Sequence, residues 1–272
     1  FDSDPSFCNT SIGNYQLAFL SPSVSAGENG ETIGFYNEPG CQSSYVNSAL
    51  SFEGDGSYVN MGNPENFALD DFSISFWLNS TYSANAGDWK YILGKHNSYH
   101  FELYGDGSVR FGFEQSNGYG IIQSDPGFND GSWHHVTATR SAETGYFNLF
   151  IDGLIVNNEY INSGDFSSLV GTLENDYNFY VGVLYENHHG PFEGLIDELV
   201  IYDYVLNHDE IQTRMFNSLS GSEEGLVGYW NFNEGSGSIL TDLSGNGNDG
   251  AIYGATWIDN GAPLQAPEPV PG

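Results

Sequence analysis

Basic residues are scarce in this sequence: its 272 residues include five Lys and Arg but 36 Asp and Glu, a formal net charge of −31. A nucleic-acid-binding surface needs basic side chains that displace counterions from phosphates, so a nucleic-acid partner is excluded. An anionic membrane surface is excluded for the same reason. Three interpretations of the acidity stay open: carboxylates that bind Ca²⁺, a solvated surface suited to salty water, and a basic partner.

Cysteine and long apolar runs are also scarce. The two cysteines, Cys8 and Cys41, lie in a loop-like stretch near the N-terminus. We expect them to form a disulfide if the protein is extracellular, and two free thiols are the alternative. The sequence has no run of 18 apolar residues, so no membrane insertion is expected.

Motifs of familiar catalytic sites are absent from the sequence. There is no Gly-x-Ser-x-Gly turn, no Cys–His nucleophile arrangement and no pair of acids spaced to face one groove. Asp197 and Glu198 are adjacent, so in a strand they point to opposite faces. The same reasoning makes His134 and His135 structural, and no thiol motif supports a zinc site. We therefore predict that the protein is not an enzyme.

Alternation of apolar and polar residues with a period of two dominates the sequence. One stretch, Leu206–Phe216, instead predicts a short helix with Asn207 as its N-cap. Asp106-Gly107 predicts a hairpin turn. Alternating runs predict half-buried strands, for example Phe72–Leu78, Tyr99–Tyr104, Ser108–Phe113 and Phe147–Ile151. The sequence thus predicts an all-β fold, a two-sheet antiparallel jelly-roll β-sandwich with one short helix.

Six segments in a fixed order resemble a known family. They are Ala49–Val59, Phe72–Trp77, Asn129–Arg140, Leu149–Gly153, Phe192–Leu199 and Ile201–Asn207. Together they resemble a laminin-G-like domain of the concanavalin A-like lectin/glucanase superfamily over about residues 48–217. The resemblance implies two curved sheets packed face to face, with ligand-facing loops at one edge.

A later segment, Gly225–Gly250, looks like the opening of such a domain, although it follows the body. It is either the start of a next repeat or a segment that supplies strands, within the chain or to a neighbouring copy. We therefore divide the chain into an N-terminal extension with the expected disulfide and first strands (1–47), the laminin-G-like β-sandwich (48–220), the displaced opening segment (221–263) and a Pro-rich tail (264–272).

Calcium is the ligand that the sequence supports best. Asp242, Asn246 and Asp249 place oxygens on a Gly-rich loop that could curl around one ion. In relatives a structural Ca²⁺ lies between the domain opening and the last strand, and Glu53, Asp55 and Asp197 are the matching acids by similarity. The alternative is that these runs are ordinary turns.

A glycan-binding site needs aromatic platforms together with hydrogen-bonding side chains. Trp89, His96 and His100 lie in one such region, Tyr119 lies in a Gly-flanked loop, and a third, polar loop contains Tyr185, Asn187, His188 and His189. In the family pattern this last loop faces the ligand edge. The alternative is a solvated loop beside aromatic core residues.

These observations predict a secreted or cell-surface, calcium-stabilised binding or adhesion module that recognises a glycan or an extracellular protein through edge loops. One alternative is a structural subunit of a surface filament or coat that assembles by β-strand addition. A glycoside hydrolase or lyase is a minor alternative.

Overall fold

The structure is a computed structural model that describes residues 47–264 except 68, 86, 116–117, 157–160, 163–169, 172, 174 and 187–189. Cys8 and Cys41 lie outside the described residues, so their disulfide stays a prediction. In the described part of the chain, no helix combines the length and the apolar character that crossing a membrane requires.

Short strands make up most of the described residues. In chain order they are β1 (Ala49–Glu53), β2 (Tyr58–Asn60), β3 (Phe72–Asn79), β4 (Trp89–Lys95), β5 (Tyr99–Tyr104), β6 (Val109–Gln115), β7 (Gly118–Gln123), β8 (Trp133–Arg140), β9 (Phe147–Ile151), β10 (Leu154–Ile155), β11 (Ile161–Asn162), β12 (Phe179–Val181), β13 (Glu193–Tyr202), β14 (Leu226–Trp230), β15 (Ile239–Leu240), β16 (Gly250–Tyr253) and β17 (Thr256–Ile258). A 3₁₀ turn covers Glu65–Phe67, and an α-helix, α1, covers His208–Arg214.

The strands form two antiparallel sheets, which we name sheet A and sheet B. Sheet A, with eight described strands, has the order β10-β9-β8-β3-β13-β1-β17, and β14 also pairs with β13. Sheet B, with nine described strands, has the order β11-β7-β6-β5-β4-β12-β2-β16-β15. The predicted two-sheet β-sandwich with one short helix is therefore confirmed.

Period-two alternation creates the core between the sheets. Along β5, Tyr99, Phe101 and Leu103 are fully buried, so the residues between them point to the other face of sheet B. Phe76 of sheet A meets Phe101 edge-on, with ring centroids 5.1 Å apart. Burial of each such side chain contributes roughly 1.5–3 kcal/mol.

Strand β3 is buried on both faces, which corrects the prediction of a half-buried strand. Its outward residues Ser73 and Trp77 are covered, because the chain after β13 folds back over sheet A. The Ser73 hydroxyl donates to the Tyr204 carbonyl and accepts the Leu206 N–H, which fixes the start of this cover.

Helix α1 completes the cover of sheet A. Asn207 caps it as predicted: its side chain accepts the Glu210 N–H, and the Glu210 carboxylate accepts the Asn207 N–H. Ile211 in α1 and Met215 directly after it are four residues apart, and both side chains are buried. The capping box fixes where the helix begins, and the apolar side of the helix packs on the sheet.

The displaced opening segment pairs within the same chain. Strand β14 pairs with the second half of β13, β16 pairs with β2, and β17 pairs with β1. Trp230 is fully buried in the main core. The two ends of the unit meet, since the Gly261 N–H donates to the Asn47 carbonyl at 2.8 Å. These strand pairs need no second copy.

Candidate functional site

The outward surface of sheet B is polar and aromatic where β4–β7 lie side by side. Because the residues of β5 and β6 that face sheet A are apolar, the intervening ones face outward. The paired registers extend this surface to β4 and β7. We call it the open face and define it by Trp89, Tyr91, His100, Glu102, Tyr104, Arg110, Tyr119 and Gln123.

Two glycines form the floor of the open face on either side of His100. Gly94 and Gly112 pair with His100 from the neighbouring strands. A Cβ atom at Gly112 would lie 2.8 Å from His100 Nε2, so the imidazole lies directly over the glycine backbone. The missing side chains of the two glycines leave the space that His100 occupies.

Polar side chains on three strands join into one network. Arg110 donates from Nε and Nη2 to the Gln123 side-chain oxygen at 3.2 and 2.9 Å. Its Nη1 lies 3.5 Å from Glu102 Oε2, which also accepts the Tyr104 hydroxyl at 3.3 Å. Gln123 in turn donates to Ser108 at 2.6 Å. Such mutual bonds hold each side chain in one orientation.

Aromatic rings stack at one end of this network. Trp89 is 43% exposed, and its ring stacks on Tyr104 at 6.2 Å between centroids. The Arg110 guanidinium lies 4.3 Å from the centre of the Tyr104 ring, a cation–π distance. Tyr91 meets His100 edge-on at 5.7 Å. An exposed indole thus lies next to fixed hydrogen-bonding groups.

His100 is neutral on the open face. Burial lowers its pKa to about 4, and the charge of Arg110 acts in the same direction. Its Nε2 lies 3.8 Å from Glu102 Oε1, too far for a hydrogen bond. A neutral imidazole offers one donor and one acceptor.

The predicted ligand residues fall into two groups. Trp89, His100 and Tyr119 lie on strands of the open face, not in edge loops, because strand alternation turns them outward. His96 and Tyr185 lie beyond the ends of β4 and β12, and their rings meet at 4.6 Å. Asn187, His188 and His189 lie outside the described residues. The sequence did not single out Glu102, Tyr104, Arg110 and Gln123, although their alternation with core residues was visible.

The Gly-rich loop predicted to bind calcium is organised by hydrogen bonds. Asp242 accepts three backbone N–H groups, from Tyr229, Ser244 and Asn248, at 2.9–3.1 Å. Asn246 donates its side-chain amide to the Leu226 and Val227 carbonyls. This loop is therefore built as a turn that docks on β14.

Of the remaining predicted acids, Asp249 lies on the same loop and the others lie elsewhere. Asp249 accepts the Asp242 N–H, Asp55 caps its own turn by accepting the Ser57 N–H, and Glu53 accepts the Ser51 hydroxyl. No three His, Cys, Asp or Glu side chains gather as metal ligands within the described ranges. The six predicted oxygen-bearing side chains thus do not surround one ion, and calcium binding stays a prediction.

Asp197 lies at a bulge in β13, between the part that pairs with β1 and the part that pairs with β14. It is 1% exposed and accepts the N–H groups of Glu198 and Ala262. Burial raises its pKa to about 7, and the charge of Glu234 adds to the shift. Glu234 Oε2 is buried and accepts no hydrogen bond from the described part of the chain.

Glu198 follows in a left-handed conformation, with φ of 51°. Burial and the charge of Asp197 raise its pKa to about 9, although it accepts the Tyr229 hydroxyl at 2.9 Å. Neither acid nor Glu234 forms an ion pair with a Lys or Arg of the described residues. Burial therefore favours the protonated forms of Asp197 and Glu198, which we call, together with the nearby Glu234, the acid cluster.

Comparison with known proteins identifies the family. The family model Laminin_G_3, described as the concanavalin A-like lectin/glucanases superfamily, matches residues 53–212, more than half of the chain. The non-toxic nonhemagglutinin type E of Clostridium botulinum is 27% identical over 180 residues, which are 65% of this chain and 14% of that protein.

A solved structure with a TM-score above 0.5 shows the same fold at low identity. A protein from Bacteroides ovatus described as a candidate carbohydrate binding protein superposes with a TM-score of 0.61 at 17% identity, over 81% of this chain and 62% of that one. The CBM40 module of the Ruminococcus gnavus IT-sialidase has a TM-score of 0.47 at 16% identity, over 62% of this chain and 98% of that module. The chain belongs to the laminin-G-like family of the concanavalin A-like lectin/glucanase superfamily.

Proposed function

We propose that this chain is a carbohydrate-binding module and that the open face of sheet B is its binding surface. The observation that carries the proposal is the exposed Trp89 ring stacked beside the Tyr104–Arg110–Glu102–Gln123 network. Carbohydrate sites need an apolar platform next to a few fixed polar groups. Because the network orients these groups before a ligand arrives, less entropy is lost on binding.

The same geometry favours binding over bond cleavage. A glycosidase needs two carboxyl groups about 5–9.5 Å apart across the sugar. Glu102, which is 5% exposed, is instead held by Arg110 and Tyr104. We therefore assign it to hydrogen bonding and positioning. A secreted or surface setting fits this role, and the strong acidity suits a solvated surface.

Calcium would act at a distance from the open face, at Asp197 and Glu234. The buried Glu234 oxygen that accepts no hydrogen bond, together with the raised pKa of Asp197, supports a cation there. Ca²⁺ takes six to eight oxygen ligands, so backbone carbonyls and waters would supply the rest. Such an ion would tie β13 to the segment after β14 and so stabilise the fold.

A glycan array tests the binding proposal. We expect the full chain to bind a defined set of glycans, and Trp89→Ala to weaken binding at least about tenfold, ~1.4 kcal/mol, because the stacking platform is lost. Tyr146→Ala removes an even more exposed aromatic (57% against 43% for Trp89) from the turn before β9 in sheet A and should leave binding unchanged. Equal binding by wild type and Trp89→Ala would contradict the assignment of the open face.

Calcium is tested by thermal unfolding. If Ca²⁺ binds only the folded chain, a hundredfold excess over Kd stabilises it by about 2.7 kcal/mol. Asp197→Asn should abolish this response, whereas Asp55→Asn should retain it, because Asp55 only caps an exposed turn. An unchanged melting temperature on addition of Ca²⁺ to the wild type would rule the site out.

A further inference from the structure

We infer that the open face selects uncharged, hydroxyl-rich sugars and discriminates against anionic ones such as sialylated, sulfated or uronic glycans. The inference rests on the proposed function and names the ligand class of the same surface. It follows from the positions of the five basic side chains and from the hydrogen-bonding groups on the open face.

All five basic residues of the chain are among the described residues, and Arg110 alone of the five lies on the open face. Lys95 and Arg140 are buried, at 1% and 0% exposure. Arg214 lies on α1 over the other sheet. Lys90 is directed to the far side of β4, where its ammonium lies 5.1 Å from the Tyr82 ring. An anionic sugar would therefore meet a single guanidinium.

The Arg110 guanidinium already contacts three other side chains. Glu102 balances its charge at 3.5 Å, Gln123 accepts two of its N–H groups, and Tyr104 lies against its plane. A sugar carboxylate or sulfate would have to displace Glu102, or else lie beside it. The anionic group of the sugar and the Glu102 carboxylate would then repel each other, most strongly where water is partly excluded.

The remaining groups suit neutral hydroxyls. Glu102 is an acceptor, Arg110 and Gln123 carry donors, and neutral His100 offers one donor and one acceptor. His100 cannot act as a second cation near neutral pH, since burial disfavours its protonated form. The net charge of −31 repels anions over a longer range, to an extent that salt reduces.

The experiment is a two-stage comparison of neutral and charged sugars. An array carrying neutral, anionic and cationic glycans first identifies neutral binders. The best neutral oligosaccharide and its derivative with one added carboxylate are then titrated by calorimetry at low and high salt. We expect the anionic derivative to bind at least tenfold more weakly at low salt, and we expect the gap to narrow as salt rises.

Glu102→Gln sharpens the test, because it frees Arg110 from its counter-charge while keeping the shape of the side chain. We expect the preference for the neutral sugar to fall at least threefold in this variant. Glu143→Gln removes the same charge from an exposed position between β8 and β9 and should leave the preference unchanged. The salt series on the wild type decides the question if Glu102→Gln fails to fold.

The outcomes separate the two proposals. Anionic or cationic sugars that bind as tightly as neutral ones, with binding lost in Trp89→Ala, would overturn the selectivity and leave the binding function standing. A preference for neutral sugars that Glu102→Gln leaves unchanged, in a folded variant, would also overturn the proposed role of the ion pair. The absence of binding to any glycan would overturn both proposals.

Discussion

The outward faces of sheets A and B differ in what the chain lays over them. On sheet A, α1 and its flanking residues pack on Phe150, Val200 and Tyr202 and line a partly open cavity of about 20 Å³, room for one water molecule. On sheet B, no helix of the described residues covers the open face, where Trp89 is exposed. The covered face contributes burial energy, whereas the open face exposes Trp89 and Tyr119 beside polar groups that are themselves partly or fully buried.

Buried acids show the same contrast. On the open face the negative charge of Glu102 is balanced by Arg110. In the acid cluster near sheet A, Asp197 and Glu198 have no basic partner within the described residues and are kept near neutral by burial. Glu102 is thus part of a charged network, while burial favours the protonated forms of Asp197 and Glu198.

The largest expected effect is on the covered face. Ile211→Ala removes a side chain that is 2% exposed and leaves a cavity beneath α1. We expect the free energy of unfolding in a denaturant titration to fall by about 2–4 kcal/mol, with glycan binding unchanged. Gln212→Ala, on the exposed side of the same helix, is the control. A loss of binding in folded Ile211→Ala would show that the two faces are coupled.

The next effect concerns pH and calcium. The folded-state pKa of Asp197, about 7, lies above its ordinary value, so in EDTA its contribution to stability is complete near pH 4 and is lost as pH rises through 7. Calcium needs the deprotonated carboxylate, so its effect runs in the opposite direction. We expect the stabilisation by Ca²⁺, measured by thermal unfolding, to be small at pH 5 and near its full value at pH 8, about 2.7 kcal/mol at a hundredfold excess over Kd.

Two variants check this assignment. Asp197→Asn should lose the stabilisation by Ca²⁺, and in EDTA it should also lose the fall in stability with rising pH that Asp197 causes. Asp55→Asn should keep both effects. A calcium effect of equal size at pH 5 and pH 8 in the wild type would contradict the assignment to Asp197.

A smaller effect is expected at the helix cap. Asn207→Ala removes the side-chain acceptor of the Glu210 N–H and half of the capping box. We expect a loss of about 1 kcal/mol in the free energy of unfolding. Asn207→Asp should restore most of it, since Asp is an equally good cap. No change in Asn207→Ala would mean that packing alone holds the cover in place.

The smallest expected effect on stability is at the floor of the open face. Gly112→Ala places a methyl group against His100 Nε2, and the imidazole must shift. We expect the free energy of unfolding to change by no more than about 0.5 kcal/mol, because only the far end of the His100 side chain has to move. Sugar binding should weaken at least about threefold, ~0.7 kcal/mol. Unaltered binding would show that the ligand does not contact His100.

Local patterns were enough to predict much of the fold. The alternation in Tyr99–Tyr104 correctly predicted a strand, and Asn207 with Glu210 correctly predicted a helix start. The burial of β3 on both faces was missed, because Ser73 and Trp77 are covered by residues about 130 positions later in the chain. Trp89, His100 and Tyr119 of the site were predicted from the sequence as aromatic or imidazole ligand groups. That they lie on one face of the sheet was not predicted.

The sequence by itself determined the elements: each strand, turn and cap depends on residues within a few positions of one another. Only the tertiary structure decided the site. Strand register brings Glu102, Arg110 and Gln123 together from three strands, and the bulge in β13 buries Asp197 near Glu234, which follows it by 37 positions. These contacts between distant residues depend on long-range strand pairing and on the exclusion of water, which no short stretch of sequence encodes.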